Sequence, residues 1–122
     1  TALAQCLQQT LNDAKATTVT ALMSLNCSHG GITTLAGLAQ FTELKSLKLS
    51  GNRIRNLLVL ERLVELEALW LDDNTVIDPI PVLRMDKLRQ LNLSGNPSLQ
   101  CPDRAEMRPQ LVITLPEHCR SL

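Results

Sequence analysis

The chain has 122 residues, 44% hydrophobic but only 2% aromatic, with twelve basic and twelve acidic side chains. That length suits one domain with an aliphatic core, and a net charge of zero offers no electrostatic case for nucleic acid or an anionic membrane. No apolar run approaches the ~20 residues that cross a bilayer, so membrane insertion is not expected. In residues 1–21, Leu3, Cys6, Leu7, Thr10, Leu11 and Ala14 fall at helical spacing with Gln and Asn on the other side. This predicts an amphipathic helix ending between Asp13 and Ala16. Thr1 opens without Met, which fits a mature or excised form. Ala2-Leu3-Ala4 has the small-x-small wording of a signal cleavage site, but no apolar segment precedes it, so it is read as helix.

A frame begins at Leu22. Leu22, Leu25, Cys27, Ile32, Leu35, Leu38 and Phe41 are followed 22 residues later by Leu44, Leu47, Leu49, Ile54, Leu57, Leu60 and Leu63. The next copy holds Leu66, Leu69, Leu71, Val76, Pro79, Val82 and Met85, and a fourth starts at Leu88, Leu91 and Leu93 before it decays. Repetition at such a period marks a solenoid. Within each copy the leucines alternate as in a half-buried strand. One such strand has nothing to bury its leucines against, so copies must stack and share a core. The strands then run parallel, and return segments such as Asn56 to Val64 cross the opposite side. Pro79 and Pro81 argue for extended or short 3₁₀ geometry in the third return rather than a long helix. The ninth slot holds Asn52, Asn74 and Asn96, with Gly30 in the first copy. An inward Asn can satisfy backbone groups of the turn that are costly to bury unpaired; with glycine there, the first rung is expected to be weaker or differently bonded.

Toward the C-terminus, Ile113 and Leu115 fall on the fourth and sixth slots of a fifth copy whose opening leucine is replaced by Gln110. The β-rich run Leu111 to Leu115 predicts a degenerate last strand after an irregular link from Pro97 to Pro109. A single domain is expected, with residues 1–21 as an N-terminal helical cap, 22–97 as repeats and 98–122 as a C-terminal cap.

The pattern L-x-x-L-x-L-x-x-N at Leu44, Leu66 and Leu88 resembles the leucine-rich repeat family, in its 22-residue class of internalins and intracellular phosphatase-regulator proteins. The resemblance covers Leu22 to Asn96. It implies an α/β solenoid: a short horseshoe segment with a parallel β-sheet on its concave face, an N-terminal capping helix and tied caps. In that family the asparagine column is structural. Asn96-Pro97-Ser98-Leu99-Gln100-Cys101 also loosely resembles the start of the cysteine-bearing C-terminal flanks of extracellular members. The later cysteine spacing departs from those flanks, so only the idea of a disulfide-tied cap carries over.

Four cysteines allow three pairings. Stacking places Cys6 and Cys27 at one end and Cys101 and Cys119 at the other, several strand spacings of ~4.8 Å apart. Bridged Cα atoms lie within about 7 Å, so cross-end bonds are excluded and Cys6–Cys27 and Cys101–Cys119 are expected. Each bridge pins a cap and contributes about 2–4 kcal/mol. Such pairing implies an extracytoplasmic setting: secreted, on a cell surface or periplasmic. Cys101, His118 and Cys119 lack a C-x-x-C spacing, and adjacent ligands seldom close one tetrahedral site. No metal and no cofactor are expected.

The outward positions of the strands form rows of Ser24, Asn26, Ser28; Ser46, Lys48, Ser50; Ala68, Trp70, Asp72; and Gln90, Asn92, Ser94. Trp70, the chain's one tryptophan, stands on the middle strand where Leu69 and Leu71 leave it no place in the core. An exposed Trp among small neighbours is the kind of anchor that dominates interfaces. Lying flat over Lys48 or Asn92 to shield the sheet is the other reading. Trp70, Lys48, Asp72, Asp73, Asn92, Ser46 and Gln90 are the candidate partner-binding residues. The second slot alternates in sign through Lys45, Glu67 and Arg89 and reads as a solvated ladder. The sequons Asn26-Cys27-Ser28 and Asn92-Leu93-Ser94 read as ordinary repeat wording. No nucleophile elbow or phosphate loop is present, and His29 and His118 fall in opposite caps, so no enzyme is expected. Resemblance to internalin-type repeats implies a non-catalytic module, expected as a monomer, that recognises a protein or peptide. An intracellular phosphatase-regulator-like adaptor and a structural spacer or targeting domain are the alternatives.

Overall fold

A computed structural model describes residues 2–14 and 22–119, with the side chains of residues 11–14 and of Arg104 outside the description. The expected helix end beyond residue 14, and the place of Leu11 on its apolar face, therefore lie outside the described residues.

Alternation of leucine with small or polar residues produces five short strands among the described residues: β1 (Ser24–Asn26), β2 (Ser46–Lys48), β3 (Ala68–Trp70), β4 (Gln90–Asn92) and β5 (Val112–Thr114). They form one parallel sheet in sequence order, and every partner is 22 residues away: Leu25, Leu47, Leu69, Leu91 and Ile113 stand in one file. The same backbone bonds recur in each gap. Lys45 N donates to Met23 O, Glu67 N to Lys45 O, Arg89 N to Glu67 O and Val112 N to Arg89 O, at 2.8–2.9 Å. Leu22, Leu44, Leu66 and Leu88 are all buried, as are the other leucine slots of the three full copies. Fully burying one such side chain is worth about 1.5–3 kcal/mol, so the repeated core residues supply the main driving force.

The returns are short. The 3₁₀ turns Leu38–Gln40 and Leu58–Arg62 send Leu38 and Leu60 inward. The third return departs from expectation: it is a single α-helical turn, α2 (Ile80–Leu83), closed by Leu83 N donating to Pro79 O at 3.2 Å. (The N-terminal helix is α1, Ala2–Ala14.) Pro79 caps α2 and Pro81 lies in its first turn, where N–H groups have no partner within the helix, so neither ring breaks it. Both prolines are buried.

Leu3 and Leu7 of α1 join the same buried core as Leu25 and Cys27. Cys6 and Cys27 are bonded, with Cα atoms 5.8 Å apart. At the other end Cys101 is bonded to Cys119 at a Cα separation of 5.4 Å. Leu99, Leu111 and Cys119 are buried there, while Ile113 is only partly covered. Arg108, in the irregular link, crosses back to the third return. Its guanidinium donates to Asp86 O at 2.7 Å, to Leu88 O at 2.9 Å and to Met85 O.

Candidate functional site

Burial of the leucine file forces the residues on either side of it to the opposite face of the sheet. Trp70 therefore emerges from β3 half-buried, with Leu69 beneath it at 0% exposure. Its register partners are Lys48 on β2 and Asn92 on β4. The Lys48 ammonium lies 5.1 Å from the centre of the indole ring, a cation–π distance. Ser46 and Ala68, half-buried beside them, are small; Gln90 is exposed. The two anticipated surroundings of the indole thus coexist: one cation sits over the ring, and the ring remains partly open to solvent.

The turn after each strand fixes the neighbouring polar groups. Asp72 Oδ1 accepts a hydrogen bond from Ser50 Oγ at 2.6 Å, one repeat away. Asn92 Oδ1 accepts from Ser94 N at 3.0 Å and from Ser94 Oγ at 2.8 Å. Asp73 points away from this cluster toward the next turn: its Oδ1 fills the space where Gly95 lacks a Cβ. Asp73 also has φ 56°, the left-handed region that Asp tolerates better than most residues. The eighth slot of the first four copies behaves alike. His29 has φ 58°, Gly51 and Gly95 have φ 70°, and the His29 ring occupies the space over Gly51. Strand spacing alone does not reveal this column. Reading His29, Gly51, Asp73 and Gly95 down the repeat shows glycine alternating with residues that tolerate positive φ.

Beneath the turns the asparagine column does what its chemistry suggests. Asn74 Oδ1 accepts Ile54 N at 3.0 Å, and its Nδ2 donates to Leu49 O at 2.9 Å and Leu71 O at 3.1 Å. Asn96 repeats the pattern with Val76 N, Leu71 O and Leu93 O. Asn52 takes two backbone donors, Gly30 N and Ile32 N, so the first rung is bonded differently, from its neighbour's side. At the opposite rim, where strands start, Lys87 Nζ meets Glu65 Oε2 at 2.7 Å. The hydrogen bond from Lys87 and its charge hold the Glu65 carboxyl below its ordinary value. Both side chains are exposed, which makes this a solvated pair.

Cys101, His118 and Cys119 place their sulfur and nitrogen atoms within 4.8 Å of one another. The two sulfurs are bonded to each other, and His118 Nε2 lies 2.9 Å from Leu99 O. The arrangement is a tied cap.

In-register parallel strands, a shared leucine core, an asparagine column and disulfide-tied ends define a capped leucine-rich repeat solenoid fold with a 22-residue period. No family model and no curated protein matches the sequence. Solved structures do match, among them internalins of Listeria monocytogenes. An internalin, inlF, superposes with a TM-score of 0.78 over 95% of this chain and 36% of its own, at 21% identity. Internalin C2 gives 0.61 over 69% of this chain and 37% of its own, at 28% identity. The functional domain of InlJ, which includes a cysteine ladder, gives 0.62 over 78% of this chain and 20% of its own, also at 28% identity. The chain thus spans between a fifth and somewhat over a third of the length of these neighbours.

Proposed function

We propose that this chain is a non-catalytic recognition module that binds a protein or peptide across the concave face of its sheet. Trp70 forms the centre of the surface, with Lys48, Asp72, Asn92, Ser46 and Gln90 around it and Asp73 in the adjoining turn. The observation that carries this reading is a half-open indole on the middle strand, with the small Ser46 and Ala68 nearby and a leucine at 0% exposure behind it. Aromatic anchors on a rigid support concentrate binding energy at little entropic cost. The internalin neighbours support a protein-interaction role at the level of the fold.

Size sets the kind of partner. Five strands spaced by ~4.8 Å, each exposing ~10 Å, fall short of the ~800 Å² per partner of an ordinary stable interface. A partner must also use the turns at Ser50-Gly51, Asp72-Asp73 and Ser94-Gly95, or be a peptide. The module acts as a monomer outside the cytoplasm, a setting that both disulfides suit; no described helix is long and apolar enough to cross a membrane. Its disulfides also weigh against the intracellular adaptor. Mass spectrometry of the native protein with and without reductant checks this: free thiols in native material contradict the placement. The binding face is tested by Trp70→Ala, which is expected to lower partner affinity at least tenfold while circular dichroism and the unfolding midpoint stay put. Equal affinity would leave the chain a spacer.

A further inference from the structure

The Trp70 ring already holds a cation. Lys48 reaches across from the neighbouring strand and sets its ammonium 5.1 Å from the ring centre, although its own side chain is exposed and is not fixed there by burial. Two residues beyond Trp70, on the same face by strand alternation, Asp72 has one carboxylate oxygen fastened by Ser50 Oγ at 2.6 Å. A carboxylate offers about four acceptor sites, so this bond orients Asp72 without exhausting it. Ser46, Ala68 and Ser50, the small residues at neighbouring outward positions, are each half-buried. An aromatic wall and an oriented carboxylate at neighbouring outward positions suit a group that is planar, positively charged and a donor in its own plane.

We propose that the group recognised here is an arginine side chain from a basic peptide segment, which displaces the Lys48 ammonium from Trp70 and pairs with Asp72. This rests on the reading of the sheet face as the binding surface. A guanidinium stacks flat on an indole while its edge donates to a carboxylate; an ammonium is a point charge and does one or the other. Asp73 points away toward Gly95, so with Lys48 moved aside the charge at these outward positions is that of the Asp72 carboxylate. Lys48 then serves as an internal stand-in that covers the ring in the unbound protein. An acidic partner that seeks Lys48 would meet the Asp72 carboxylate.

Because Trp70 is the chain's one tryptophan, its emission reports this site alone. The intact protein is titrated with an end-capped tetra-arginine peptide and with the citrulline counterpart, which keeps the shape and loses the charge. Arginine is expected to give a saturable change in emission and citrulline none. Lys48→Ala, with the competitor gone, should bind arginine roughly two- to fivefold tighter. Asp72→Asn, which keeps an acceptor for Ser50, should bind about threefold weaker. Weaker arginine binding in Lys48→Ala, or a saturable response to tetra-glutamate that vanishes in that variant, overturns the assignment. Failure is also separable from failure of the binding face. If Trp70→Ala loses the native partner while arginine gives no response, the face stands and the arginine assignment falls. If arginine responds but Trp70→Ala retains the partner, the face falls as the partner's site.

Discussion

The ninth and eighth slots of the repeat bear comparison, because one was legible in the sequence and the other was not. Asparagine recurs at Asn52, Asn74 and Asn96, and only its paired donor and acceptor explain a polar side chain at 6% exposure or less. Replacing Asn74 by Ala leaves Leu49 O its bond from Asn52 and Leu71 O its bond from Asn96, but takes the acceptor from the buried Ile54 N. The expected loss is about 2–3 kcal/mol, the cost of an orphaned buried group plus lost bonds. Urea unfolding measures it, and a loss under 1 kcal/mol, well short of that cost, would mean the column is ornamental. At the eighth slot, composition conceals a backbone demand, because His29 and Asp73 adopt positive φ without being glycine. Gly51→Ala meets two penalties: φ 70° and a His29 ring 2.2 Å from the new Cβ. His29 is exposed and can swing aside, so backbone strain of about 1–2 kcal/mol dominates. In a double-mutant cycle with His29→Gly, the coupling should stay below about 0.5 kcal/mol; a larger value assigns the cost to the ring instead.

Elements divide along the same line. Strands and their register followed from leucines 22 residues apart, and β5 from a β-rich run that kept two slots of the frame. The α-helical form of the third return did not follow, because proline is informative inside a helix and silent in its first turn. Arg108 was equally hidden: it lies in an aperiodic link, and its value is set by three carbonyls that only the folded turn gathers. The cysteines were legible since stacking order separated the pairs. The N-terminal cap shows what a bridge adds. Leu3 and Leu7 are the two buried apolar side chains of α1 among those described, with Ala2 partly buried against the core, so the Cys6–Cys27 bond, closing a separation of 21 residues, carries much of its attachment. Cys6→Ala keeps Cys27 in its core slot and is expected to cost about 3 kcal/mol in urea unfolding under oxidising conditions. A cost below 1 kcal/mol, far under the usual range for a native disulfide, would show that the two leucines suffice.

At the scale of the whole molecule, stability is a sum over neighbours. Each strand bonds only to the copies on either side, and the asparagine column likewise reaches one repeat back. In such a quasi-one-dimensional stack the end copies are the weak members, and each internal interface adds a similar increment. Duplicating residues 44–65 directly after Glu65 keeps the period, offers a further Asn between Asn52 and Asn74 and adds one strand to the sheet. It places Lys48 beside its own copy, a like-charge contact worth a few tenths of a kcal/mol against it. The stabilising interface that each added internal copy makes with its neighbours outweighs that. The urea midpoint should therefore rise, and the m-value should rise with the added surface. Duplicating only residues 44–54 supplies four of the seven slot residues but throws the downstream frame out of phase, so Leu66 and its followers no longer meet the slots above them. That variant is expected to unfold at lower urea than the parent. If both insertions shift the midpoint alike, hydrophobic content rather than phase governs the stack.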